Sequence, residues 1–163
     1  MIAKINKEIK ASDIVVIQDT RERTPLDLTP LIVIQGTLST GDYSVKGLED
    51  IIAVERKSLA DLVMCVGRER ERFDREVLRL QASPVKALVV EAHLADIEAG
   101  AYRSKVKPNA VLGSLLGWMA SGLPVLFAGD HAAAGKLTAR FLFIAARRRW
   151  RESLALIEGR KVS

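Results

Sequence analysis

Gly41-Asp42-Tyr43-Ser44-Val45-Lys46 and Ile51-Ile52-Ala53-Val54-Glu55-Arg56-Lys57 flank the short polar turn Gly47-Leu48-Glu49-Asp50. Two β-type runs around a Gly-containing turn read as a hairpin. A turn centred between Leu48 and Glu49 sets Lys46 against Ile51, Ser44 against Ala53 and Asp42 against Glu55. Side chains alternate along a strand, so Asp42, Glu55 and Lys57 share one face while Val54 and Arg56 take the other. Directly opposed carboxylates, about 5 Å apart at Cβ, destabilise a hairpin that has only a structural task. A divalent cation between them removes the penalty. The first expectation is therefore a metal-binding acid pair with an adjacent lysine.

On the N-terminal side of this hairpin, Ile14-Val15-Val16-Ile17-Gln18 is a β-branched run that ends on Asp19-Thr20-Arg21-Glu22-Arg23, and Leu31-Ile32-Val33-Ile34-Gln35 is a second strand. Asp19 at a strand end serves either as a turn former or as a further acid for the site. Continuous apolar runs predict a sheet covered on both faces by helices. On the C-terminal side, Ser58 caps a helix over 59–65, with Asp61 at the capping-box position as well as near the acids. Residues 68–81 form a charged amphipathic helix with an apolar stripe of Phe73, Val77 and Leu80. Arg68 and Arg72 lie one turn apart on it, available to phosphate or to intrahelical ion pairs.

Residues 85–91 give another strand and 94–99 a short helix. The loop 100–108 then mixes Tyr102 with Arg103, Lys105 and Lys107, and is either a nucleic-acid edge or a solvated loop. Residues 109–121 read as an apolar helix whose Gly113, Gly117 and Ala120 permit close approach of another element. Residues 124–128 are the last strand, and 130–149 a long helix carrying Leu137, Phe141 and Ile144, with a basic tail from Trp150. Strands joined by helices of these lengths predict an α/β sandwich with a mixed sheet.

The chain has 163 residues, of which 48% are hydrophobic, enough for a single domain with its own core. A lone cysteine, Cys65, excludes an intramolecular disulfide, and no Cys/His cluster exists for zinc. Residues 1–8 lack the apolar core of a secretory signal, so a reducing, cytoplasmic setting is expected. Residues 110–129 carry no charge, but Gly and Ser interrupt them and Ser121-Gly122-Leu123-Pro124 splits them, so no membrane span is expected. The net charge of +5 permits a polyanionic partner. The excess is local, at 103–107 and at Arg147-Arg148-Arg149 with Arg151.

The order Gly41-Asp42, Glu55-Arg56-Lys57, Asp61 fits the pattern GDX(n)ERKX(3)D and resembles the nuclease domain of the XPF family, within the PD-(D/E)XK superfamily. Asp19-Thr20-Arg21-Glu22, Gly67-Arg68, Leu88-Val89-Val90-Glu91, Val106-Lys107-Pro108-Asn109-Ala110 and Gly122-Leu123-Pro124-Val125 resemble flanking segments of the same family, so the likeness covers most of the chain. It implies a restriction-endonuclease-like core, a mixed central sheet with helices on both faces. It also implies one nuclease domain over 1–163, with its core at about 13–149, and no helix-hairpin-helix module.

The resemblance implies Asp19, Asp42 and Glu55 as ligands of Mg2+ or Mn2+. It adds Glu22, Arg56 and Lys57 to the catalytic set, with Lys57 supporting the attacking water and Asp61 a motif residue that can be structural. The residue reading itself sets Arg56 on the opposite pleat face, where it anchors the strand. DNA contacts are expected from Arg68, Arg72, Arg103, Lys105 and Lys107, and the partners implied are branched DNA, a second copy of the chain and a DNA-targeting protein. The competing readings are a non-catalytic DNA-binding or scaffold subunit on the same fold, and a four-way-junction or restriction-type nuclease of the same superfamily.

Overall fold

The computed structural model describes residues 8–159. The apolar core sought in residues 1–8 therefore falls, apart from Glu8, outside the described residues. A 3-10 turn leads into β1 (Val15–Asp19), followed by β2 (Ile32–Gly36), β3 (Tyr43–Val45), β4 (Ile52–Ser58), α1 (Leu59–Val66), α2 (Arg70–Ala82), β5 (Val85–Glu91), α3 (Leu94–Glu98), α4 (Pro108–Ala120), β6 (Val125–Phe127) and α5 (His131–Ile157). The strands form one mixed sheet in the order β2-β1-β3-β4-β5-β6. β1 runs parallel to β2 and antiparallel to β3, β3 is antiparallel to β4, and β4, β5 and β6 are parallel.

The hairpin has the predicted register. Tyr43 pairs with Val54, which puts Asp42 opposite Glu55 one step further on. On one face, Ala53, Leu88 and Val90 pack with Leu62, Phe73, Val77, Ile97, Leu115 and Trp118 from α1 to α4. On the other, Val16, Tyr43, Ile52, Val54 and Val89 pack with Ala134, Ala139, Leu142, Ala145 and Ala146 of α5. The predicted α2 stripe, Phe73, Val77 and Leu80, is buried. The α/β core with helices on both faces is thus as the sequence predicts at the sheet centre.

Four local expectations are corrected. β2 is not covered: Ile32, Val33 and Ile34 are 49%, 38% and 38% exposed, because α5 packs on β3, β4 and β5 and the edge strand lies beyond it. The buried stripe of α5 is not Leu137, Phe141 and Ile144 but Ala134, Gly135, Thr138, Ala139, Leu142, Ala145 and Ala146. Small side chains let the helix approach closely, and a Cβ on Gly135 would stand 2.5 Å from the Asp27 carbonyl oxygen. The expected tail from Trp150 is helix as far as Ile157. Finally, Gly113 and Gly117 of α4 face open space rather than another element among the described residues.

Candidate active site

Three carboxylates are brought into line by backbone bonds across three strands. The Asp19 amide donates to the Asp42 carbonyl (2.8 Å), and the Asp42 amide donates to the Val54 carbonyl (2.8 Å). Register then sets Asp19 beside Asp42 and Asp42 beside Glu55 on the α2 side of the sheet. Gly41 makes the close crossing possible. Its φ is 75°, and a Cβ there would meet the Val54 carbonyl oxygen at 2.9 Å, a conformation and a space that only glycine accepts without strain. The three acids open into a polar cleft of about 650 Å3, lined also by Arg21, Lys57, Asp61, Arg72, Glu76 and Arg79.

Each acid is held differently. Asp42 accepts from the Arg56 amide through Oδ2 (2.8 Å). Burial and the charge of Glu55 push its carboxyl up to about 7. Glu55, 6% exposed, is likewise raised by burial, against the pull of Lys57. Asp19 is committed more fully: Oδ1 takes the Arg21 amide (2.9 Å) and Nε (2.7 Å), while Oδ2 takes Arg21 Nη2 (3.0 Å) and the Leu38 amide (2.8 Å). The Arg21 fork holds its carboxyl down at about 2 despite burial.

Lys57 reaches the Glu55 carboxylate, stands 3.9 Å from Glu76 and lies 5.1 Å from the Phe73 ring centroid. Burial works against its charge, but the Glu55 and Asp42 carboxylates hold the ammonium above its ordinary range. Phe73 is fixed edge-on against Trp118 at 5.0 Å, so the lysine has a rigid wall behind it.

Arg56 and Glu22 occupy the other side of the strand. The Arg56 guanidinium grips Glu22 by Nε (2.8 Å) and Nη2 (3.0 Å), and Glu91 by Nη1 (2.8 Å). Glu91 in turn meets Nδ1 of His131 at 2.7 Å, and Nε2 of His131 lies 3.2 Å from the Pro25 carbonyl oxygen. Glu22, expected in the catalytic set, is an ion-pair partner of Arg56 at the rim of the cleft. Asp61 fills its cap role: its amide donates to Ser58 Oγ (3.1 Å), and that hydroxyl donates back to its carboxylate (2.7 Å).

Of the expected DNA contacts, Arg72 lines the cleft, paired with Glu69 and 4.0 Å from Glu76. Arg68 lies outside the lining and donates to the Met64 sulfur (3.4 Å). Arg103, Lys105 and Lys107 are exposed on the loop before α4. Sequence reasoning missed Arg21, Glu76, Glu91 and His131. Of these only Arg21 carried a signal, as the cation two residues after Asp19. The other three come from distant elements.

The donor set fits a hard divalent ion. Among the described residues no three metal-ligating side chains stand close enough to hold an ion by themselves. Mg2+, however, is commonly bound by one or two carboxylates with water and substrate phosphate completing the shell. Asp42, half-buried, and Glu55, buried, are such a pair, mutually repelling and each with one oxygen uncommitted among the described residues. Asp19 stands in the same row, with both oxygens taken by Arg21 and the Leu38 amide; the Arg21 side chain is 71% exposed.

A mixed sheet of this order with an acid row and a lysine at its centre defines an α/β domain of the restriction-endonuclease kind. The chain belongs to the ERCC4 domain family, whose model matches residues 13–141. Among solved structures it is similar to XPF from Aeropyrum pernix, at 21% identity and a TM-score of 0.66 over 82% of this chain. It is also similar to XPF from Aeropyrum pernix in complex with DNA, at 20% identity and a TM-score of 0.64, again over 82% of this chain. The chain spans 62% and 65% of the length of those two structures. No curated protein sequence matches it. No described helix is long and apolar enough to cross a membrane.

Proposed function

We propose that this domain is a divalent-metal-dependent DNA endonuclease that hydrolyses phosphodiester bonds, acting on branched DNA or at junctions of single and double strands. The observation that carries the reading is the Asp42–Glu55 pair, a half-buried and a buried carboxylate set opposite each other across a hairpin with a lysine on the same face. A bound Mg2+ or Mn2+ would supply Lewis-acid polarisation of the phosphate and a water of lowered pKa. Asp42 and Glu55 would hold the ion, with Asp19 as the third ligand.

The rest of the chemistry belongs to the chain's own groups. Lys57, anchored between Glu55 and the Phe73 ring, donates to the attacking water or to the developing charge on phosphorus oxygens. Arg56 keeps β4 and the 22–25 segment in register from behind, so its contribution is to position the acids. Arg21, exposed at the mouth, is placed to meet a substrate phosphate beside Asp19. Arg72, Arg103, Lys105 and Lys107 provide phosphate contacts that carry no sequence information.

Labelled flap, fork, nicked and linear DNA incubated with purified protein and Mg2+ or Mn2+ test this. Cleavage should fall at least 100-fold in Asp42→Asn and in Glu55→Gln. The same rate in parent and variants, or no cleavage of any substrate with either ion, overturns the reading.

A homodimer is the second part of the proposal. The outer face of α4 carries Leu116 (63% exposed) and Met119 (44% exposed) together with Gly113 and Gly117, where an added Cβ would meet nothing within 4 Å among the described residues. An apolar helix face with room for close backbone approach suits a second copy.

A further inference from the structure

We propose that the solvent face of α5 is a second DNA-binding surface, a basic rail for the phosphate backbone of a duplex arm, on the opposite side of the sheet from the catalytic cleft. The inference rests on the reading of the protein as a DNA endonuclease.

Lys136, Arg140, Arg147 and Arg151 fall at i, i+4, i+11 and i+15. At 3.6 residues per turn they lie within about 60° of one another around the axis and extend along roughly 22 Å of it. The buried residues Ala134, Gly135, Thr138, Ala139, Leu142, Ala145 and Ala146 occupy the far side of the helix, so the row points away from the core. Lys136, Arg140 and Arg151 are exposed and have no carboxylate partner among the described residues. Arg147 is half-buried, its guanidinium 5.4 Å from the Phe143 ring centroid. The helix contains one acid, Glu152, which is engaged with Arg148 and Arg149 on another face.

A solvated helix that serves only stability intersperses acids at i+4 spacing, as α2 does with Arg70 and Asp74 or Arg72 and Glu76. Four aligned like charges give up that gain and repel one another. A polyanion repays the repulsion: over 22 Å a duplex presents on the order of a dozen phosphates. Such a row equally disfavours packing α5 against its own copy. The rail starts at the site end of the sheet, where His131 meets Glu91, and runs towards the β3–β4 turn, where Arg149 and Trp150 lie near Lys46 and Leu48. DNA held there leads towards the cleft edge.

The test compares K136E/R140E/R151E with a charge-matched variant, R70E/R75E/K86E, which reverses three cations on the α2 side of the sheet, outside the cleft lining. Anisotropy of a labelled blunt duplex and a labelled fork is read in EDTA over a salt series. The rail variant should bind at least tenfold more weakly at 0.1 M salt and lose about two to three from the slope of log K against log salt, since each phosphate contact contributes about 0.9. The matched variant should keep the parental slope. K136Q/R140Q/R151Q should show the same direction, and it gives the reading if the reversal variant does not fold.

A parental slope in the rail variants, or equal losses in both sets, overturns the proposal. An acidic protein partner would use the same cations, and unchanged DNA affinity is the result that points to it. Glu55→Gln separates the two claims: it should bind with the parental slope and not cleave. If the parent binds through the rail but cuts nothing, the endonuclease reading fails and the rail stands. If cleavage is normal and the slope unmoved, only the rail fails.

Discussion

Asp42 and Glu55 carry opposite consequences for stability and for chemistry. Without a cation, burial and mutual repulsion raise the Asp42 carboxyl to about 7, against about 3.9 in an unfolded chain. Between about pH 4 and 7 the native state therefore holds a proton that the unfolded chain has released, and stability falls as pH rises through that window. Thermal melts in EDTA should show a declining Tm from pH 4.5 to 7.5. Asp42→Asn should flatten that decline, and added Mg2+ should reverse it in the parent only. A flat parental profile would mean that the pair is not buried as described. The pairing of these two residues was legible from one register argument. The engagement of Glu22 by Arg56 was not: nothing in the local sequence says which of two nearby acids a guanidinium on the far pleat face will take.

At the level of elements, α5 shows where pattern reading fails. Its large apolar residues, Leu137, Phe141 and Ile144, suggest the stripe, yet the helix buries alanines, Gly135 and Thr138. Close approach decides this, and close approach depends on the 27–28 segment beneath the helix, which periodicity cannot see. Gly135→Ala separates the two effects. Intrinsic helix propensity favours alanine by about 1 kcal/mol, whereas a Cβ 2.5 Å from the Asp27 oxygen forces a shift costing about 1–3 kcal/mol. Urea denaturation should find the variant less stable, and a more stable variant would show that the helix stands further off. β2 fails for a related reason: a β-branched run predicts a strand but not whether any helix is long enough to reach it.

For the whole molecule, the helices divide their outer surfaces. α4 offers apolar residues and glycine, while α5 offers a row of cations, so the proposed self-association is assigned to α4. Light scattering at micromolar protein should give a dimer mass for the parent and a monomer for Leu116→Glu. A monomeric parent would remove α4 as an interface. The sequence made the mixed sheet and the acid row readable because each is set by local period and turn chemistry. It left the polar tie between layers unread, since Glu22, Arg56, Glu91 and His131 come from four separate segments. That tie runs from the cleft rim along the α5 side of the sheet to the first turn of α5. The outline of the cleft is thus set partly from behind, and a change at His131 should alter the entrance without ever touching what enters.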